Sequence, residues 1–292
     1  MPSSTIQWFP GHMAKTRRLM QECLGQVDII LEVLDARIPY SSRNPEIKKL
    51  LGQKPILTLL NKSDMADPAC NILWRDYIRR SGGMCQIVDC VSDSVQKNLP
   101  DIISDILKEK LERNESRGMA GKHLRAMIVG IPNVGKSSLI NRLAGNAKAK
   151  VENRPGVTVN KQWIQTPYGI DLLDMPGVLW PKFDDPVVGE NLAITGAIRD
   201  RILDIETVAM ILCGRLRTRY PALFCARYRL EEAEISELDE YDLLQLVGRR
   251  RGFLQAGGSV NERRTAEAIL DDFRSAQIGR LTLETPPAPK EK

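Results

Sequence analysis

The stretch LLNKSDMAD (residues 59–67) ends an apolar run on Asn61-Lys62-Ser63-Asp64, and GIPNVGKSS (130–138) lies downstream of it. The second stretch satisfies G-x-x-x-x-G-K-[ST] at Gly130, Gly135, Lys136 and Ser137. It follows HLRAMIVG (123–130), which reads as a strand, and opens KSSLINRLAG, which reads as a helix; that context gives the match its meaning. Backbone N–H groups of such a turn converge on phosphate oxygens at the helix N-terminus. Asn133, Val134, Gly135, Lys136, Ser137 and Ser138 are therefore expected to cradle a polyphosphate, Lys136 neutralising its outer phosphates and Ser137 ligating Mg2+. The bland alternative is a Gly-containing turn with an incidental Lys-Ser.

Asn61, Lys62, Ser63 and Asp64 supply a second chemistry. A carboxylate accepts two hydrogen bonds, and guanine offers two adjacent donors, N1–H and the exocyclic amine; adenine has no such pair. Taken alone, N-K-x-D is equally an Asx turn at a strand end. After the next predicted strand, GMCQIVDC (83–90), Asp89 and Cys90 are expected to bring backbone against the base edge. Further on, DLLDMPG sets Asp174 at a strand end with Gly177 behind it. The carboxylate is expected to hold Mg2+ through water and the Gly177 N–H to meet the terminal phosphate. Thr158, in RPGVTVN, is expected to close on Mg2+ only when that phosphate is present.

The order is base reader, base-edge loop, phosphate loop, switch I, switch II. Ordinary small GTPases place the phosphate loop first. A complete set rotated as a block reads as a circularly permuted GTPase. IQWFPGHMAK, LDARIP, SSRNP, GIPNVGKSSLINRL, RPGVT and DMPGVLWPKF together resemble the YlqF/RbgA family, of ribosome biogenesis GTPase A type, over nearly the whole chain. The resemblance implies GTP and GDP binding, GTP hydrolysis with Mg2+, and a role in late assembly of the large ribosomal subunit, with its rRNA and proteins as partners. Val178 follows Gly177 where Ras-like enzymes carry a water-orienting Gln, a replacement the family shares. His12, in FPGHMAK, is the family's proposed stand-in, since an imidazole can orient or deprotonate water. Starting the first helix or touching RNA remain open roles for His12. Asn133 resembles the Asn that helps bind K+ in potassium-stimulated GTPases. Cys90-Val91 replaces a common Ser-Ala, which removes a hydroxyl contact but not backbone ones.

The remaining chain fits this frame. VDIILEVLDA (27–36) and KPILTLLNKSD (54–64) are short apolar runs that read as buried strands, with helical stretches such as PEIKKLLG and NLPDIISDILKEKLERN between strands. This alternation predicts an α/β domain with a parallel-sheet core and helices on both faces. QWIQTP and IDLLDMPG flank a Tyr-Gly turn and read as a hairpin. From about residue 200, apolar residues at three-to-four spacing predict a small all-α domain. Its Arg215, Arg217, Arg219, Arg249, Arg250, Arg251, Arg263 and Arg264 are expected to face RNA through phosphate and shape contacts. The expected division is 1–200 for the GTPase domain, 201–284 for the helical ribosome-binding domain and 285–292 for a disordered tail. In this order switch II runs through VLWPKFDDP straight into the basic helices, which suits coupling of nucleotide state to grip on RNA.

Composition bounds the rest. The 292 residues, 42% hydrophobic and 27% charged, are those of a soluble globular chain. No apolar run reaches the ~18 residues of a membrane span, and no signal peptide is evident. Six cysteines without a CxxC pair and only two histidines, His12 and His123, disfavour structural zinc and a disulfide framework. A cytoplasmic monomer is expected. The net charge of +5 is a weak pointer to a polyanion. Two other readings stay in play: a nucleotide-gated RNA-binding scaffold in which hydrolysis is incidental, and a P-loop ATPase or kinase with an accidental NKSD.

Overall fold

The computed structural model describes residues 10–119, 121–145, 162–180 and 182–288. Helix α1 (Pro10–Leu24) leads into β1 (Ile29–Asp35), α2 (Pro45–Leu50) into β2 (Ile56–Asn61), and α3 (Pro68–Arg80) into β3 (Met84–Ile87). Helices α4 (Ser94–Ile106) and α5 (Lys108–Ser116) then carry the chain to β4 (Leu124–Val129), followed by α6 (Lys136–Ala144), β5 (Gln162–Gln165) and β6 (Ile170–Asp174). The stretch read as one helix over NLPDIISDILKEKLERN is thus two, broken at Leu107.

The sheet order is β3-β2-β1-β4-β6-β5. All neighbours are parallel except the β5–β6 hairpin at one edge. The crossover through α4 and α5 takes the chain from the opposite edge to the centre, so the central strand is made fourth. Every residue of β1 is buried, as a strand covered on both faces requires; its sequence is accordingly a continuous apolar run rather than an alternation. Ile30 packs with Met20, Cys23, Ile47 and Leu51 of the α1–α2 layer. Ile29, Leu31 and Val33 point the other way, into a cluster with Leu99 and Ile103 of α4 and Leu139, Ile140 and Leu143 of α6.

Three helices start on the same local device. Asn44, Asp67 and Asp185 each precede a proline, and each side chain accepts a backbone N–H of the first helical turn. An Asx cap satisfies an orphan donor, while proline at the first helical position needs none.

The helical layer begins with α7 (Pro186–Ile194) and a 3-10 turn at Asp200–Ile202. It continues with α8 (Ile205–Arg219), α9 (Pro221–Tyr228), α10 (Glu232–Ile235), α11 (Glu240–Arg250) and α12 (Glu262–Arg274). Leu212, Cys213 and Leu216 of α8 share a core with Leu243, Leu244 and Val247 of α11 and Ile269 and Phe273 of α12. That core is continuous with the α4–α6 side of the sheet through Leu192, Ala193 and Ile194 of α7. Beyond α12 the chain turns back to the sheet, where Leu281, Thr282 and Leu283 are buried. All six cysteines are free and buried, and no helix among the described residues is long and apolar enough to cross a membrane.

Candidate functional site

Because β1, β2, β3, β4 and β6 are parallel, the loops leaving their carboxyl ends share one edge of the sheet, the edge where open α/β sheets bind ligands. The phosphate loop leaves β4 at Gly130, where a Cβ would sit 2.5 Å from the Val33 carbonyl oxygen. Gly135, at φ +99°, precedes α6 and lies against the Asn61 amide, where a Cβ would collide. Only glycine fits either position.

Lys136 opens α6 and is buried, its Nζ donating to the Ile131 carbonyl at 2.8 Å. Burial pushes its pKa down to about 8, against the opposing pull of the Asp174 charge. A cation kept in low dielectric beside a helix N-terminus is a strong attractor for a polyanion. Gly177 closes this corner, since a Cβ there would meet Lys136 Nζ at 2.5 Å and the Pro132 nitrogen at 2.9 Å. The phosphate loop and switch II are therefore in direct contact.

Ser137 and Ser138 are half-buried in the first turn of α6, and Asp174 ends β6. No group of three His, Cys, Asp or Glu that would hold a metal exists among the described residues. One hydroxyl and one carboxylate, Ser137 and Asp174, would suit Mg2+, which keeps several waters and is held by one or two protein groups together with phosphate oxygens. Thr158, expected as a third Mg2+ contact, lies outside the described residues. The backbone of His12 is in the first turn of α1; its side chain is outside the described set.

The base reader is held from several sides. Asn61 is buried, and its Nδ2 donates to the Val134 carbonyl at 2.7 Å while its Oδ1 accepts the Cys90 N–H at 2.9 Å. One amide thus joins base reader, phosphate loop and base-edge loop. The Cys90 N–H is thus engaged by Asn61. Asp89 folds onto its own loop, accepting the Val91 N–H at 2.9 Å. Lys62, at φ +60°, reaches back to Asp35 Oδ2 at 2.8 Å. Burial would raise the Asp35 pKa, but Arg37 and Lys62 outweigh it and hold the carboxyl well below the usual range. Asp64 is exposed, and its carboxylate makes no hydrogen bond among the described residues, which leaves both oxygens for a ligand.

Val178 is buried, and its carbonyl accepts from Asn44 Nδ2 at 3.1 Å. The residue after Gly177 therefore belongs to the core and cannot orient water. Asn133 donates from Nδ2 to the Gly196 carbonyl at 2.6 Å, tying the phosphate loop to the turn after α7. Arg274 of α12 caps the end of the same helix at the Ala193 and Ile194 carbonyls, both at 2.9 Å.

The arginines expected on an RNA-facing surface divide into two groups. Arg215 and Arg217 are half-buried and pair with Glu190 and Asn191 and with the Leu238 carbonyl, while Arg219 is exposed yet donates to the Leu283 carbonyl, so all three are bonded within the chain. Arg249, Arg250, Arg251, Arg263 and Arg264 are exposed, though Arg250 pairs with Glu234 and Arg263 with Glu267. Arg251 and Arg264 flank the Phe253 ring at 5.7 and 4.7 Å. Asp35 and Arg37 fall in the LDARIP segment without a role legible from sequence, and Arg280 lies in no motif, because all three act by bonding other site residues.

A sheet whose central phosphate-loop strand is made fourth, with the base reader already in place, defines a circularly permuted P-loop GTPase. Residues 125–220 match the family described as 50S ribosome-binding GTPase. The chain is 46% identical over 283 residues to ribosome biogenesis GTPase A of Priestia megaterium, covering 97% of each. It is 34% identical to mitochondrial ribosome-associated GTPase 1 of Xenopus tropicalis, covering 95% of this chain and 94% of that one. Among solved structures, GNP-bound YlqF from T. maritima shares the fold at a TM-score of 0.63 and 23% identity, over 93% of this chain and 98% of that one. The chain belongs to the ribosome biogenesis GTPase A family.

Proposed function

We propose that this GTPase of ribosome biogenesis reads guanine through Asp64, holds phosphate on residues 133–138, and couples the presence of the γ-phosphate to its grip on the large ribosomal subunit. The observation that carries the coupling is the contact of Gly177 with Lys136, continued into the helical layer through Asn133 and Gly196. Loss of the γ-phosphate releases switch II, and the chain that follows it enters α7 directly. In this reading residues 1–200 form the GTPase domain, 201–284 the ribosome-binding helices and 285–292 the tail of a cytoplasmic monomer. The exposed arginines of α11 and α12 meet rRNA phosphates. Ser137, Asp174 and Thr158 would hold Mg2+, which neutralises developing phosphate charge when bound. Asn133 keeps its Oδ1 for K+, so hydrolysis should be faster in potassium than in sodium salts.

Hydrolysis by the isolated protein should be slow, because the Gln position is filled by buried Val178. Large subunits should accelerate it, and His12→Ala should remove most of the stimulated rate while leaving GTP affinity near normal. Full stimulation of that variant would exclude His12 as the catalytic group. Co-sedimentation should show tighter subunit binding with a non-hydrolysable GTP analogue than with GDP, weakening with salt; equal binding in both states would remove the coupling.

Asp64→Asn tests base reading directly. Xanthine carries a carbonyl where guanine carries the 2-amino group, and an amide presents a donor to it. A buried polar group left unpaired costs roughly 1–3 kcal/mol, so preference should move from GTP toward XTP by at least about tenfold. Competition of GTP, XTP and ATP against a fluorescent analogue measures it. An unchanged GTP margin would mean that Asp64 does not read the base.

A further inference from the structure

The last described segment of the chain is bonded to the base reader. Arg280 donates from Nη2 to the Ser63 carbonyl at 2.9 Å and from Nε to the Ala66 carbonyl at 3.1 Å. The Leu281 N–H reaches the Met65 carbonyl at 3.0 Å, and the Leu283 N–H reaches the Arg37 carbonyl at 2.8 Å. The Thr282 hydroxyl, fully buried, accepts the Asp67 N–H at 3.1 Å and donates to the Ala36 carbonyl at 3.3 Å. Glu284 anchors the end of this strap, its carboxylate accepting the Tyr40 and Ser41 N–H groups at 2.7 and 3.1 Å and Asn191 Nδ2 at 2.8 Å.

We propose that residues 280–284 form part of the guanine-binding apparatus, with Arg280 as a positioning residue for Asp64. The inference rests on the assignment of base reading to Asp64. That carboxylate is exposed and makes no hydrogen bond among the described residues, so its direction is set by the backbone that carries it. Asn61 and Lys62 fix the inner side of that backbone. On the outer side, the carbonyls of Ser63, Met65 and Ala66, on either side of Asp64, all accept from the strap. Recognition of two donors needs both carboxylate oxygens placed together, because hydrogen bonds weaken steeply off their preferred distance and angle. A loop freed on its outer side loses that placement.

The strap also gives the helical layer a second attachment to the nucleotide site, independent of switch II. Tyr220, at the end of α8, bonds both the Thr282 carbonyl and Asp67, and Arg219 bonds the Leu283 carbonyl. None of the strap's bonds reaches the phosphate loop, so its contribution to affinity is the same for GTP and GDP.

The test compares GTP, GDP and ITP affinities for the unaltered chain, Arg280→Ala and Arg280→Lys. Inosine keeps N1–H and lacks the 2-amino group, so the GTP to ITP ratio reports the second bond to Asp64. Arg280→Ala should weaken GTP and GDP by a common factor of about three to ten and lower the GTP to ITP ratio at least about threefold. Arg280→Lys, with one of the two bonds restored, should fall between. A folded Arg280→Ala protein with an unchanged ratio, whatever its melting temperature, overturns the proposal. Amide exchange on the unaltered protein decides the matter should the variant not fold. GDP should slow exchange at Leu281 and Leu283, and unaltered rates there overturn the proposal equally. If the unaltered protein itself does not distinguish GTP from ITP, base reading by Asp64 fails first and the strap's role falls with it.

Discussion

Asn61→Ala should separate a strut from a base contact. The Asn61 amide is 3% exposed and makes bonds of 2.7 Å to the Val134 carbonyl and 2.9 Å to the Cys90 N–H. Alanine removes both partners and leaves a buried acceptor and a buried donor unpaired. At roughly 1–3 kcal/mol for each, unfolding free energy should fall by about 2–6 kcal/mol, a large share of the ~5–15 kcal/mol that holds an ordinary domain folded. In the free variant the loops can part and let water reach the two orphans, recovering part of this penalty. Nucleotide binding must then expel that water, so about 1.4–2.8 kcal/mol of the recovered energy returns as a loss of affinity of about 10- to 100-fold. Urea unfolding and calorimetric titration with GDP measure the two effects. Asn61→Asp should do no better than alanine, because it keeps the acceptor for Cys90 but sets a carboxylate oxygen against the Val134 carbonyl. Pyrophosphate is the discriminating ligand: a strut supports the phosphate loop, so pyrophosphate affinity must fall as well. An Asn61→Ala protein within about 0.5 kcal/mol of the parent in stability, with unchanged pyrophosphate binding, would refute the reasoning.

Two further perturbations address the phosphate corner. Lys136 titrates at about 8 in the free site, and a bound polyphosphate favours its charged form, so the bound pKa lies higher. Affinity should therefore be full well below pH 8 and fall as pH rises through it, by roughly fourfold between pH 7 and 8.5; a flat profile over that range would show that Lys136 stays charged without ligand. Gly177→Ala would place a methyl 2.5 Å from Lys136 Nζ and 2.9 Å from the Pro132 nitrogen. Relieving that overlap should cost about 1–3 kcal/mol of stability and move the lysine, weakening GTP and GDP alike; parental affinities measured by titration would mean that switch II does not press on the loop.

What the sequence made legible, and what it hid, follows from where the information is stored. Strands buried on both faces must be apolar along their length, so β1 and β2 stand out as runs, and a rotated motif order could be read from identity and spacing alone. The hairpin of β5 and β6 was equally visible, since a Tyr-Gly turn separates two short strand-forming runs. The break of α4 from α5 at Leu107 was not, because the residues on both sides are good helix formers. The deeper gap concerns backbone partners. Ser63, Met65 and Ala66 contribute carbonyl oxygens to the strap, and Val134 contributes one to Asn61; every residue type carries that group, so no motif records the contact. Arg280 and Ser63 are also 217 positions apart, beyond any local pattern. The same blindness explains Arg215, Arg217 and Arg219. On a helical wheel they read as solvated cations, yet Arg217 and Arg219 end on the Leu238 and Leu283 carbonyls and Arg215 on Glu190 and Asn191. An arginine's five donors suit carbonyls and phosphates equally, and only the fold decides which it meets. Arg215 ties α8 to α7, Arg217 ties it to the chain before α11, and Arg219 ties it to the strap that bonds the base reader. Those at the end of α11 and the start of α12 remain exposed, and it is this charge that the proposed grip on RNA would use.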